Sequence, residues 1–334
     1  MSISVVSSPL RISFLGGGSD YKNFFSLGHT GYTFGASINL SVYLSGIFHS
    51  RLTDYPYKLT YRITDAVDNY ESFKHPVAKH AFQIADWKNH GVHISTMADV
   101  PAGTGLGSSS SFTVGLLHLL RYMQGENSNP DWLASNAVKI ERELLKEAGG
   151  LQDQYFAAFG GARLFEFKAN GVQSVGEVPF TYYESLSNSL VLVPVGVARN
   201  SSSHAEMTAK SVAARETTFI EMAMLAKDTF TEFLAAKGAD SGVEIVGRAL
   251  NYAWNLKKIM SGQPQNEKID ELIRKGFTAG AIGGKLCGAG GSGFILFIVE
   301  PDNRKKFISH FEFEDAQEIS ISGEGSQCYK LEKV

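Results

Sequence analysis

The sequence predicts an α+β protein built as two domains, and three observations carry that reading. Strand-like and helix-like patterns interleave through the first half of the chain. From about residue 203 the texture changes to long helical patterns followed by a few short strands. At 334 residues the chain suits one large or two medium domains, and 43% apolar with 19% charged residues supplies a sizeable core. The seam is expected near residue 185, giving domains 1–185 and 186–334.

Alternating or β-rich runs at 2–6, 10–15, 33–49, 57–63 and 92–97 read as strands. A helix is expected over 76–88 and a second over 108–123. A third runs from about 130 to 148, with Asn129 as N-cap, Pro130 at the first helical position and Gly149-Gly150 past its end. LQDQYFAAFGG is a short helix closed by glycines, with strands near 162–167 and 190–195 after it. The second half gives helices over 203–237, 241–261 and 267–279. It ends with strand 293–299, helix 302–311, and strands 316–321 and 326–332.

Composition removes several classes of function. A net charge of −3 without a long basic run argues against nucleic-acid or membrane-surface partners. No stretch of about 18 apolar residues is present to span a bilayer. The opening MSISVVSS lacks the charged start and apolar centre of a signal peptide, so a cytoplasmic enzyme, monomer or homodimer, is expected. Cys287 and Cys328 are expected as reduced thiols, and no His/Cys cluster has structural-zinc spacing.

Residues 99–123, DVPAGTGLGSSSSFTVGLLHLLRYM, carry the chemistry. Gly103, Gly105 and Gly107 alternate in a loop that runs through Ser108–Ser111 into an apolar helix. Such a loop bares backbone N–H groups, and the helix start adds unpaired donors and a partial positive charge. Together they seat a nucleotide phosphate. Gly107 is followed by serine where the P-loop of the common NTPases has lysine. A G-x-G-x-x-G at Gly288, Gly290 and Gly293 precedes a strand and follows a helix-like segment, the reverse of a dinucleotide fingerprint.

On a wheel of about 100° per residue, Glu141 lies amid Leu133, Ala134, Ala137, Val138, Ile140, Leu144 and Leu145, so it is expected on the buried face. A buried carboxylate wants an arginine or a metal ion. With a phosphate loop elsewhere in the chain, Mg²⁺ is the favoured partner, because it takes one or two carboxylates together with phosphate oxygens. Asp153 sits in the first turn of the short helix, where it either complements the helix dipole or faces a substrate hydroxyl. Arg11 lies in an apolar strand that runs into Gly16-Gly17-Gly18-Ser19-Asp20. Such a turn lets backbone approach a ligand closely, and an arginine there suits a transferring phosphoryl group. Between Gly283 and Gly293 the glycine density implies close approach of two backbones, or of backbone to phosphate.

Three of these blocks resemble the motifs of the GHMP kinases, the family of galactokinase, homoserine kinase, mevalonate kinase and phosphomevalonate kinase. PLRISFLGGGSDY resembles the first motif, PAGTGLGSSSS the second and GGKLCGAGGSGFILFI the third, in order and over nearly the whole chain. The resemblance implies a two-domain α+β fold with the active site in the cleft between domains, and Mg-ATP as phosphoryl donor. The loop Pro101, Gly103, Thr104, Gly105, Leu106, Gly107, Ser108, Ser109 and Ser110 would bind the nucleotide. Ser109 and Glu141 would hold Mg²⁺, with Asp153 the catalytic aspartate and Arg11 beside it. Galactokinases carry Glu-His where this chain has Gly17-Gly18, which speaks against galactose. GGGSDY and GGLQDQY are most similar to members acting on D-glycero-D-manno-heptose 7-phosphate, with L-fucose kinases near. That implies phosphorylation of the anomeric hydroxyl, feeding nucleotide-activated heptose for surface polysaccharide. Gly17, Gly18, Ser19, Asp20 and Gly290 are the expected sugar contacts. Arg199 and Ser201, at the entry to a long helix, are expected to meet the acceptor's own phosphate. A non-catalytic nucleotide-binding regulator and a decarboxylase sharing this fold are the alternatives.

Overall fold

The computed structural model describes residues 2–49, 55–88, 91–196, 201–261, 266–288, 290–291 and 293–332. The two segments read as separate strands at the start form one, β1 (Ser2–Leu15), paired antiparallel with β2 (Gly31–Phe48). The ladder slips between Pro9 and Arg11. Proline has no N–H to give a ladder, and the slip lets the Arg11 N–H turn to the carbonyl of Leu106 instead, 3.0 Å away. A disruption in the first strand thus ties it to the glycine loop.

β2 is long enough to have different neighbours at its two ends. Residues 42–48 pair β5 (Val92–Ala98), which continues to β3 (Tyr57–Thr60) and β4 (Thr64–Val67). Residues 31–36 pair β6 (Ala162–Lys168), followed by β7 (Gly171–Glu177). The expected strand 57–63 is cut short at Thr60, where a turn leads back into β4. On one face of this eight-stranded sheet lie α3 (Ser108–Met123) and α5 (Gln152–Phe159), packed with α2 (Pro76–Ile84) and α4 (Pro130–Val138). A short α1 (Lys22–Phe25) follows β1, and α6 (Tyr183–Asn188) precedes the second sheet.

The second sheet orders as β11 (Gln317–Glu318), β8 (Leu190–Gly196), β10 (Gly293–Val299) and β9 (Ala281–Leu286). All seven residues of β10 are buried, and their alternation divides them between two cores. Phe294, Leu296 and Ile298 join the large core, while Ile295, Phe297 and Val299 pack with α10 (Glu267–Thr278) and α11 (Arg304–Ser309). A strand covered on both faces reads as an unbroken apolar run, hence FILFIV. The expected helix 203–237 is two, α7 (Ser201–Ser211) and α8 (Glu216–Ala235), joined by a 3₁₀ turn. With α9 (Ala239–Ser261), α8 covers the other face of the first sheet; Phe219, Phe230 and Phe233 share its core with Phe14 and Phe34.

The expected seam near 185 falls between the two sheets, but the chain recrosses it. β12 (Gln327–Glu332) pairs residue for residue with Ser2–Ser7 of β1, and Ile321 bridges Ile38. The second half is therefore not a self-contained block. Among the described residues, no helix is long and apolar enough to cross a membrane.

Candidate functional site

A cleft of about 530 Å³ opens where the first-half loops meet α9 and β9. One wall is the glycine loop. Gly103, Gly105 and Gly107 sit at φ of +80°, +79° and +78°, a conformation that L side chains adopt at a cost of roughly 1–2 kcal/mol. Gly107 is the N-cap of α3 and no side chain caps the helix, so the first N–H groups of α3 stay open to the cleft. Gly103, Gly105, Gly107, Ser108, Ser109 and Ser110 all line it. Three of the expected loop contacts shape the loop instead. The Thr104 hydroxyl donates to the Pro101 carbonyl at 3.0 Å, and Leu106 is buried in the core.

The third glycine block packs on the second, backbone to backbone. A Cβ on Gly288 would stand 2.4 Å from the Gly105 Cα, and one on Gly293 would stand 2.2 Å from the Thr104 carbonyl. Close approach of two backbones, one of the two readings left open by the sequence, is what this turn provides.

Arg11 and Asp153, 142 residues apart in sequence, meet at the mouth of the loop. The guanidinium donates through Nε and Nη2 to both carboxylate oxygens at 2.8 Å, and through Nη1 to the Gly105 carbonyl at 2.7 Å. The planar fork of arginine fits a carboxylate in this bidentate way. Asp153, with 23% of its side chain exposed, keeps lone pairs facing the cleft.

Glu141 is buried, as the wheel requires, but the helix beneath it is not regular. After Val138 the chain makes a π-helical turn over Lys139–Leu144. The turn swings Leu144 out to 42% exposure, against expectation, and carries Arg142 inward, where Nε donates to the Gly150 carbonyl at 3.1 Å. π turns recur at functional sites. Glu141 Oε2 accepts from the Ser110 hydroxyl at 2.8 Å and from Gln154 Nε2 at 2.6 Å. Ser109, paired with Glu141 in the sequence reading, lies exposed on the cleft wall, and it is the neighbouring Ser110 that bonds the carboxylate. Glu141 Oε1 is buried without a hydrogen-bond partner. Burial pushes its carboxyl above the usual range, with Arg142, Thr113 and Ser110 opposing the shift. Arg142 Nη2 stands 3.5 Å from Oε2, and the unused Oε1, on the wall of the cleft, suits a divalent cation.

The first-motif turn splits between the cleft and its scaffold. Gly17, Gly18 and Asp20 line the cleft. Asp20 is fully buried, accepting from the Gly18 and Gln152 N–H groups at 2.8 and 3.1 Å, so it clasps the turn to the start of α5. Burial raises its carboxyl, and the nearby Asp153 charge adds to the rise. Ser19 faces inward: its hydroxyl bonds the Gly16 and Tyr32 carbonyls at 2.8 and 2.9 Å and it is absent from the cleft wall. Gly290 borders a second cavity of about 640 Å³, beside His204, Lys258 and Lys268, which shares Lys257 and Ser261 with the main cleft. Arg199 lies outside the described residues, and Ser201 is the first residue of α7.

Sequence reasoning missed four side chains here: Arg142, Gln154, Lys257 and Lys285. Lys285 had a visible signal, a cation inside the third glycine block.

An acidic pair and a bare-backboned glycine loop face one cleft, an arrangement that a small-molecule kinase requires. Residues 72–161 match the model described as GHMP kinases N terminal domain, and residues 236–313 that described as GHMP kinases C terminal, together half of the chain. The chain belongs to the GHMP kinase family. It is 28% identical to D-glycero-alpha-D-manno-heptose 7-phosphate kinase of Campylobacter jejuni, over 97% of this chain and 98% of that protein. It is 25% identical to galactokinase of Pyrococcus furiosus, over 91% of each. Among solved structures, a D-glycero-D-manno-heptose 1-phosphate kinase from Bacteriodes thetaiotaomicron shares the fold at a TM-score of 0.77 and 23% identity, over 99% of this chain and all of that one. Lactococcus lactis galactokinase complexed with galactose follows at 0.72 and 19%, over 97% and 95%. The two-domain α+β fold expected from the sequence is the fold found.

Proposed function

We propose that the protein transfers the terminal phosphate of Mg-ATP to the anomeric hydroxyl of D-glycero-D-manno-heptose 7-phosphate, giving the 1,7-bisphosphate. One observation carries the kinase chemistry. Neighbouring residues of α5 join the two acidic groups: Gln154 holds Glu141 and Ser110, while Asp153 holds Arg11, which in turn holds the glycine loop. Two hydrogen-bonded sets, one around Glu141 and one around Asp153, are thereby joined through adjacent residues of α5, which supports a metal holder and a proton acceptor side by side.

Each residue then has a task. The glycine loop and the first N–H groups of α3 hold the triphosphate. Glu141, with Ser109 and Ser110 beside it, holds Mg²⁺, which when bound neutralises phosphate charge. Asp153 orients the acceptor hydroxyl and takes its proton. Arg11 keeps the carboxylate in register and offsets charge developing on the transferring group. Asp20, by fixing Gly17 and Gly18 against α5, sets the floor on which the sugar rests. The acceptor's own phosphate is assigned to the side of Ser201, His204 and Gly290. The reaction is assigned to the cytoplasm, where ATP is at hand.

Two facts support the heptose phosphate: the Campylobacter jejuni relative spans nearly the full chain, and Gly17-Gly18 stand where galactokinases have Glu-His. L-Fucose is the second reading, since a bifunctional fucokinase of Arabidopsis thaliana is 25% identical over 92% of this chain, though this covers 31% of that protein. The deciding experiment incubates the enzyme and Mg-ATP separately with heptose 7-phosphate, heptose 1-phosphate, L-fucose and D-galactose, and locates the new phosphate by NMR. A new anomeric phosphate on the 7-phosphate alone is the expected result; turnover only of unphosphorylated sugars overturns the substrate.

A further inference from the structure

Two ammonium groups from the second half of the chain face the cleft without a part in the chemistry above. Lys257 is on α9 and Lys285 on β9, and both line the cavity. Lys285 is 4% exposed and donates to the Phe14 carbonyl at 2.6 Å, across the interface between the two halves. Lys257 donates to the Leu286 carbonyl at 2.7 Å and the Gly288 carbonyl at 2.5 Å, bracing the glycine turn that rests on Gly105. Among the described residues neither forms an ion pair. An ammonium carries three donors, so two on Lys285 and one on Lys257 are left for a ligand.

The ionisable groups nearest the two lysines are Arg11 and Cys287. Arg11, Lys257 and Lys285 sense one another, Asp153 is the carboxylate bound to Arg11, and the Cys287 thiol beside both lysines is pushed up by burial and stays uncharged. Buried cations without counter-ions are costly, and an anion entering the cleft relieves that cost. Burial, reinforced by the neighbouring lysine, lowers Lys285 to about 7, and burial lowers Lys257 to about 8. A phosphate entering beside them would favour the charged form of both lysines.

We propose that Lys257 and Lys285 form an anchor for a phosphate monoester, supplied by the second half of the chain and closing on a phosphoryl group opposite the glycine loop. The inference rests on the kinase reading. The phosphate can come from the donor nucleotide or from the acceptor. Lys285 lines only the main cleft, whereas Lys257 also borders the second cavity with His204, Lys258 and Lys268. Lys285 is therefore expected to serve the nucleotide, and Lys257 both ligands.

The test is calorimetric titration of wild type, Lys285→Met and Lys257→Met with Mg-ADP, Mg-ATP and heptose 7-phosphate. Lys285→Met is expected to weaken Mg-ATP at least tenfold while Mg-ADP changes less than threefold. Lys257→Met is expected to weaken Mg-ATP and the sugar phosphate alike. A loss confined to the sugar phosphate in both variants assigns the anchor to the acceptor. Folded variants that bind all three ligands like wild type overturn the proposal. A measurement on wild type alone stands if the variants misfold. At pH 8, above the value of Lys285, Mg-ATP binding should draw in protons, seen as a dependence of binding heat on the buffer's ionisation enthalpy; no uptake overturns the proposal. Absence of phosphoryl transfer by wild type with every sugar would instead overturn the kinase reading, and these binding data would still report on the lysines.

Discussion

Replacing Gly288 with alanine puts a methyl carbon 2.4 Å from the Gly105 Cα, where ordinary contact begins near 3.4 Å, so the two glycine turns must part by about 1 Å. Both atoms in conflict are backbone, so no rotamer change relieves the overlap. Gly288 also has φ +65°, which for alanine costs roughly 1–2 kcal/mol. Overpacking adds about 1–3 kcal/mol, for a total of about 2–5 kcal/mol. Gly125→Ala is the matched control, because Gly125 has φ +79° and nothing within 4 Å of an added Cβ. At about 2.1 cal/mol/K per residue, a chain of this length loses about 1.4 °C in Tm per kcal/mol. Gly288→Ala should therefore melt roughly 3–7 °C below wild type, and Gly125→Ala only about 1–3 °C below. Turnover separates the two variants further: displacement of the phosphate seat by about 1 Å should lower kcat about 100-fold in Gly288→Ala and leave it intact in Gly125→Ala. Equal melting and equal kcat in the two variants would refute the claim that the third glycine block exists to seat the second.

Asp153→Asn should lower kcat by about 10²–10⁴-fold while Mg-ATP still binds, measured by coupled ATP turnover and calorimetry; near-normal turnover removes Asp153 from proton acceptance. Glu141→Gln retains a polar partner for Ser110 and Gln154, so its melting temperature should stay close to wild type. The Mg²⁺ concentration for half-maximal rate should rise at least about tenfold in a magnesium titration. Acid stability should carry a signature from His118 on α3, which bonds the Ser326 hydroxyl at 3.0 Å and is lowered by burial to about 4 from 6.5. The unfolded chain binds this proton more readily, so its contribution is full above pH 6.5 and is lost as pH falls toward 4, a change of at most about 3 kcal/mol. His118→Gln should flatten the denaturant-stability profile over that window, and an unchanged slope would show that other groups set it.

Much of this architecture was legible because local signals and tertiary demands coincide. The boundaries of α3 follow from a glycine before Ser108 and a long apolar run, and the burial of Glu141 follows from helical periodicity alone. The π turn after Val138 left no mark, because a shift in hydrogen bonding from one carbonyl to the next needs no particular residue. Its effects on Leu144 and Arg142 were therefore invisible. Adjacent serines differ by about 100° around a helix, and only the packing of α4 and its π turn against α3 decides that Ser110 rather than Ser109 meets Glu141. Ser19 looked like a ligand group because a hydroxyl in a glycine turn carries no indication of which carbonyls will claim it. Lys257 is one of two consecutive lysines in an amphipathic helix, and its inward turn depends on the carbonyls of Leu286 and Gly288, about thirty residues on. Lys285 depends on Phe14, from the other end of the chain, and no window of sequence spans that distance.

β12 sets a condition on how the molecule is made. Until residues 327–332 leave the ribosome, the outer edge of β1 has no neighbour, and the donors and acceptors of Ser2–Ser7 are open to any extended peptide nearby. Synthesis can finish every other strand of the eight-stranded sheet first. The nascent chain therefore has to shelter β1 until β12 arrives, and a chain that stops before residue 327 would leave a sticky border on an otherwise finished sheet.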